Sequence, residues 1–147
     1  MISDSRIGIY KYIEDLLVEN VTENVYLMNE PQVLTESDTT EGFIVIQVGD
    51  FVDAGEFQRE SYAWARVFVR VYVPPMNRGR LNVTLYKEFE DAINNVIDMA
   101  SVEQNSTYWI QKDSVLSMDT NSERNADNAY FMFVKSFVVM VDGEENV

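Results

Sequence analysis

The sequence predicts an α+β fold: one two-layer domain, a mainly antiparallel sheet with two helices packed on one face. Three observations predict it. Two segments space their apolar residues at helical period, and at least five others are strand-length runs rich in Val, Ile, Tyr and Phe. Most connections between successive strands contain no helix, and parallel neighbours need long crossovers, so most pairings must be antiparallel. No repeat, linker or shift in composition divides the chain, so residues 1–147 read as a single domain. A chain of this length buries roughly 68–70% of its unfolded surface, enough for a core without staples.

The elements follow in order. Residues 4–19 read as a helix, with Ile9, Ile13, Leu16 and Leu17 on one stripe and Ser3 as its N-cap. Residues 24–28 read as a short strand. The polar, Gly-terminated stretch 31–42 reads as a loop, and the apolar run 43–48 as a strand. Turn signals follow at Gly49-Asp50 and Ala54-Gly55. A long strand occupies 61–73 and stops at Pro74-Pro75, because proline has no N–H for a ladder. The second helix spans about 83–100, capped by Asn82 or Thr84. Its stripe is Leu85, Phe89, Ala92, Ile93, Val96, Ile97 and Ala100. Strands are expected at 107–111 and 114–119, a polar loop at 120–128, and a long closing strand at 129–141.

The strand 61–73 has two unlike faces. Its odd positions Ala63, Ala65, Val67, Val69, Val71 and Val73 are small or β-branched. Its even positions Tyr62, Trp64, Arg66, Phe68, Arg70 and Tyr72 alternate rings with guanidinium groups. Since alternate residues face opposite sides of a sheet, one face suits a core. The other carries the residue types enriched at protein–protein hot spots. Long arginine stems lying beside rings within the fold are the intramolecular alternative. The closing strand is also apolar on both sides. Two helices cover only one sheet face well, so the other needs loops, a curled sheet or another subunit.

Charge points the same way. The net charge is −14. Residues 59–87 nevertheless hold six basic residues against Glu60 alone, while the rest of the chain holds five basic and 24 acidic residues. One segment is thus complementary to the remainder of its own protein, a pattern that suits self-association.

Chemistry is constrained by absence. The chain has no cysteine and no histidine, which removes disulfides, thiolate chemistry, the commonest general base and the commonest metal ligand. Asp50, Asp53 and Glu56 cluster in an expected turn with no evident pocket. Residues 119–127 present oxygen side chains at alternate positions, but Arg124 and Tyr130 occupy the places where a calcium loop needs Gly and Glu. Arg78-Gly79-Arg80 lacks phosphate-loop spacing. No enzyme, cofactor or metal site is therefore expected. No apolar run has transmembrane length, and the N-terminus lacks the zones of a signal peptide.

A helix, several strands, a long ARVFVRVYVPP strand ending in a Gly/Arg loop, a helix LYKEFEDAINNVIDM and a terminal strand pair with a long apolar last member follow in that order. This order resembles the phage tail-terminator (tail-completion) family and related neck-ring proteins over roughly residues 4–141. The resemblance implies a virion protein, made in the host cytoplasm. It implies a homo-oligomeric ring, usually a hexamer, that caps the tail tube and joins it to the head connector, and no reaction. A negatively charged lumen would let DNA pass without sticking. On this reading Tyr62, Trp64, Arg66, Phe68, Arg70, Tyr72, Arg78 and Arg80 stand at or near subunit contacts. The alternative is a binding module that holds a small ligand or peptide on an aromatic-lined sheet face.

Overall fold

A computed structural model describes residues 5–53, 62–76, 79–102, 107–125 and 128–142. Its elements run α1 (Ser5–Asn20), β1 (Val25–Leu27), α2 (Glu36–Glu41), β2 (Phe43–Asp53), β3 (Tyr62–Val73), α3 (Val83–Val102), β4 (Tyr108–Asn125) and β5 (Asn128–Asp142). The five strands form one sheet in the order β1-β2-β3-β5-β4. The predicted α+β class and mainly antiparallel sheet are found. One pair departs from it: β1 and β2 are parallel, with Val25 opposite Ile44.

Helices α1 and α3 lie on the same face of the sheet. Ile9, Ile13 and Leu17 of α1, and Phe89, Ile93, Val96, Ile97 and Ala100 of α3, are buried against the odd face of β3. That face is fully buried from Ala63 to Val73. Small and β-branched side chains keep it flat, so both helices approach closely. On β5, Phe133, Phe137, Val139 and Val141 extend the same floor.

The first helix is fitted to the sheet at two points. A methyl group on Gly8 would collide with the Tyr108 hydroxyl, so glycine lets α1 cross the start of β4. One turn on, Tyr12 stacks on Tyr108 with centroids 5.2 Å apart. At the other point β2 changes register between Val48 and Phe51. There the Val48 N–H donates to the Tyr10 hydroxyl at 3.0 Å, and Arg6 Nη2 donates to the Val48 carbonyl at 2.9 Å. The helix thus supplies partners for backbone groups at a bulge in the ladder.

Several sequence expectations are corrected. The expected loop 31–42 contains α2. Its N-cap Thr35 accepts from the Asp38 N–H, and the Asp38 carboxylate accepts from the Thr35 N–H, a capping box. The chain leaves α2 through Gly42 at φ +85°, where a Cβ would fall 2.6 Å from the Tyr72 carbonyl oxygen. The expected strands 107–111 and 114–119 are a single strand, β4, interrupted between Gln111 and Leu116. The expected loop 120–128 is largely the arms of the β4–β5 hairpin, with Glu123 opposite Tyr130. Pairing with the facing arm of β5 thus keeps the polar stretch 119–125 extended and overrides its turn preference.

The strand expected at 43–48 does not turn at Gly49-Asp50 but continues as β2 to Asp53, because pairing with β3 resumes past the bulge. Asn82 caps α3, accepting from the Leu85 N–H at 3.1 Å. Asp50 and Asp53 fall within β2, while Ser3, Ala54-Gly55 and Glu56 lie outside the described residues.

Gly8→Ala should lower stability by up to about 2 kcal/mol, the overpacking against Tyr108 of about 1–3 kcal/mol being offset by about 1 kcal/mol of helix propensity. Thr35→Ala should cost about 1 kcal/mol through loss of the cap. Urea unfolding followed by circular dichroism measures both, and a Gly8→Ala midpoint raised by the full propensity gain would contradict the close approach.

Candidate interaction surface

The sheet face away from α1 and α3 is assembled by register. Directly paired residues on neighbouring strands share a face. Tyr72 stands between Phe43 and Met132, Arg70 between Val45 and Val134, and Phe68 between Gln47 and Ser136. Arg66 pairs with Val138 and Trp64 with Met140. On the outer strand Met118 lies beside Val134, Leu116 beside Ser136 and Trp109 beside Met140.

One end of this face is closed by the segment 28–42. Phe43 and Tyr72 stack at 4.5 Å between centroids, and Tyr130 meets Phe43 edge-on at 5.6 Å. Tyr26 and Leu34 pack on this cluster. Aromatic pairs of this kind add about 0.5–1.5 kcal/mol each beyond the area they bury. Polar contacts hold the segment down. The Tyr72 hydroxyl donates to Glu30 Oε1 at 2.6 Å, and the Tyr26 hydroxyl donates to Asp38 Oδ2 at 2.6 Å. Asn24 Nδ2 donates to Ser37 Oγ and to the Gly42 carbonyl, tying α2 to the start of β1.

Asp38 is 0% exposed, and its Oδ1 has no hydrogen-bond partner among the described residues. The Tyr130 hydroxyl is likewise buried without one. Burial, then the hydrogen bond to Asp38, pushes the Tyr26 phenol up to about 12. Burial, then the charge of Asp38, raises that of Tyr130. Both phenols therefore resist ionisation beside a buried carboxylate.

The other end of the face is open. Trp64, Arg66, Phe68 and Arg70 are half-buried, while Leu116 and Met118 are 62% and 60% exposed. Arg66 Nη1 donates to Ser136 Oγ at 2.9 Å and weakly to the Ser114 carbonyl at 3.4 Å. Arg70 Nη2 reaches the Met28 carbonyl at 3.4 Å, and its Nε is buried without an acceptor among the described residues. The arginine stems thus lie flat on the sheet, with their rings and methionine neighbours beside them.

The sequence-derived contact set divides accordingly. Trp64, Arg66, Phe68 and Arg70 come together on the open face. Tyr72 does not join them. It is 1% exposed, because its ring is stacked under the 28–42 segment, which no period-two reading of a single strand can show. Tyr62 pairs through its backbone with Asp142, and its side chain lies outside the described set. Arg80 is exposed on the loop before α3, and Arg78 lies outside the described residues. Leu116 and Met118 were absent from the set. The alternation Leu116-Ser117-Met118 was the signal, but only the register places it on this face.

One further polar pair has the look of chemistry. Lys135, buried on the helix side of β5, donates from Nζ to Ser117 Oγ at 2.6 Å and sits 3.5 Å from Glu90 Oε2. The contacts tie β5 to Ser117 of β4 and to Glu90 of α3, so the side chain joins three elements. Among the described residues no cluster of acidic side chains has a metal-binding arrangement, and no helix is long and apolar enough to cross a membrane. No protein-family model matches the chain, and no curated protein matches it in sequence.

The phenol shifts give a pH test. A raised folded-state value means the stabilisation is complete below the unfolded tyrosine value near 10 and is lost as pH rises towards 12. Stability measured by urea titration should therefore fall across that window, and Tyr26→Phe should flatten the fall. Tyr130→Phe should leave neutral-pH stability unchanged or raise it, because a hydroxyl without a partner is removed from the core.

Proposed function

We propose that this chain is a structural subunit of the tail-terminator or neck-ring type, assembling into a ring that caps a phage tail tube and joins it to the head connector. The observation that carries this reading is the open half of the sheet face. Trp64, Phe68, Leu116 and Met118 form an apolar, aromatic patch around Arg66 and Arg70 on an otherwise acidic protein. Such a patch suits burial against protein, since exposed contiguous apolar surface marks an interaction site. The element order α–β–sheet–α–hairpin with both long helices on one face supports the resemblance in sequence order. The net charge of −14 suits a lumen through which DNA passes without being held. On this reading the protein acts in the virion neck after synthesis in the host cytoplasm, and its partners are its own copies, the tube and the connector.

Electron microscopy of assembled particles, with the chain carrying a density label, should place it at the head–tail junction. Its absence from purified virions would overturn the reading. In solution, Leu116→Asp with Met118→Asp should weaken self-association by about tenfold or more, roughly 1.4 kcal/mol or more. The far-ultraviolet circular dichroism should stay unchanged, because both side chains are exposed. Light scattering against concentration measures the association.

A further inference from the structure

The open sheet face does not say by itself which surface of a neighbouring copy covers it. The charges on the two faces do. At the positions of the open face that the ladder register fixes, the charged side chains are Arg66 and Arg70, while Asp50 stands in the β2 bulge opposite Arg66 and Asp113 in the β4 interruption, both exposed at its edge. The opposite side of the molecule is anionic. The outer surfaces of α1 and α3 carry Glu14, Asp15, Glu19, Glu88, Asp91 and Asp98 against Arg6, Lys11 and Lys87, with Asp98 itself paired at 2.8 Å to Lys112 of β4. Two of those cations are already neutralised within their own helix: Lys11 by Glu14 and Asp15, and Lys87 by Asp91. Glu19 and Glu88 have no cationic partner within ion-pair distance among the described residues.

The helix side is also shaped to receive side chains. A groove of about 300 Å³ opens between the end of α1, the end of α2 and the first turns of α3. Val21, Leu85, Phe89 and Ala92 line it, with the carboxylates of Glu41 and Glu88. Apolar lining with anionic groups complements a face that is apolar with cationic ones. Packing two open sheet faces together would instead gather four guanidinium groups with the bulge residues Asp50 and Asp113 as the nearest strand carboxylates, a poorer match than the helix layer, where Glu19 and Glu88 are unpaired.

We infer that the open sheet face of one copy docks on the acidic helix layer of the next, a head-to-tail contact between two different surfaces. The inference rests on the self-association proposed above and adds the identity of the receiving surface. A contact of this kind leaves one sheet face and one helix layer unused at the ends of any short assembly. It therefore propagates until a ring closes, whereas a sheet-to-sheet contact stops at a two-fold dimer.

The chain has no cysteine, so introduced thiols are the sole targets for a thiol-specific cross-linker. Met118→Cys marks the sheet face and Glu88→Cys the helix layer, both at exposed positions. With a short flexible bis-maleimide, a mixture of the two single variants should give a cross-linked dimer that is lost when either variant is treated alone. The double variant should give a ladder of covalent multimers. Efficient dimerisation of Met118→Cys alone, with a double variant that stops at dimer, would overturn the head-to-tail contact and leave self-association standing. If no cross-link forms in any combination while light scattering shows oligomers, the contact uses other surfaces and the inference fails. If the protein also stays monomeric at the highest attainable concentration, alone and with tail tubes added, the ring reading fails with it. Unchanged circular dichroism in each variant guards against misfolding.

Discussion

The structure depends on the central strand β3 being able to serve two layers at once. Its odd side chains, two alanines followed by four valines, make the floor on which α1 and α3 rest. Its two neighbours, β2 and β5, pair with it along nearly its whole length. A bulky or polar residue at any odd position would lift both helices, because interiors are packed to crystal-like density. With that side fixed, the even side chains have to project to the opposite face, whatever they are.

What happens on that second face is decided by connections rather than by the strand. The parallel pairing of β1 with β2 forces the chain to cross between them, and the crossover, residues 28–42, lies over the Tyr72 end of the sheet. The buried Asp38 holds it there with its capping box and the Tyr26 hydroxyl. The crossover is short, so it covers the aromatic end and stops. Arg66, Phe68 and Arg70 beyond it lie flat and half-covered, and β4 adds Leu116 and Met118 to the same uncovered area. The division into a closed aromatic end and an open arginine-rich end follows from the length of one connection.

Electrostatics reinforces the asymmetry. The paired positions of the open face carry Arg66 and Arg70, and the helices on the far side carry most of their charge as carboxylates. A protein with separated charge of this kind steers its own copies into a preferred orientation at long range, an effect that rising salt weakens. The Lys135–Glu90 contact is the exception, a cation taken from the sheet into the helix side to tie α3 to the hairpin. The sequence hid it, because Lys135 sits among Phe133, Phe137 and Val139, where an apolar stripe reads as continuous.

Taken by itself, the sequence determined the class of each long element and the unlike faces of the strand 62–73. These rest on periodicity and on proline and asparagine signals, which act within a few residues. The short helix α2 was also local, since Thr35-Glu-Ser-Asp38 spells a capping box, but six residues are too few for a helical stripe to stand out. Tertiary structure alone decided the parallel β1–β2 pair, the continuity of β4 through its bulge and the withdrawal of Tyr72 into the core. Each of these depends on register between segments far apart in the chain. Coverage of a sheet face is a property of the connections that cross it, and alternation along one strand carries no information about them.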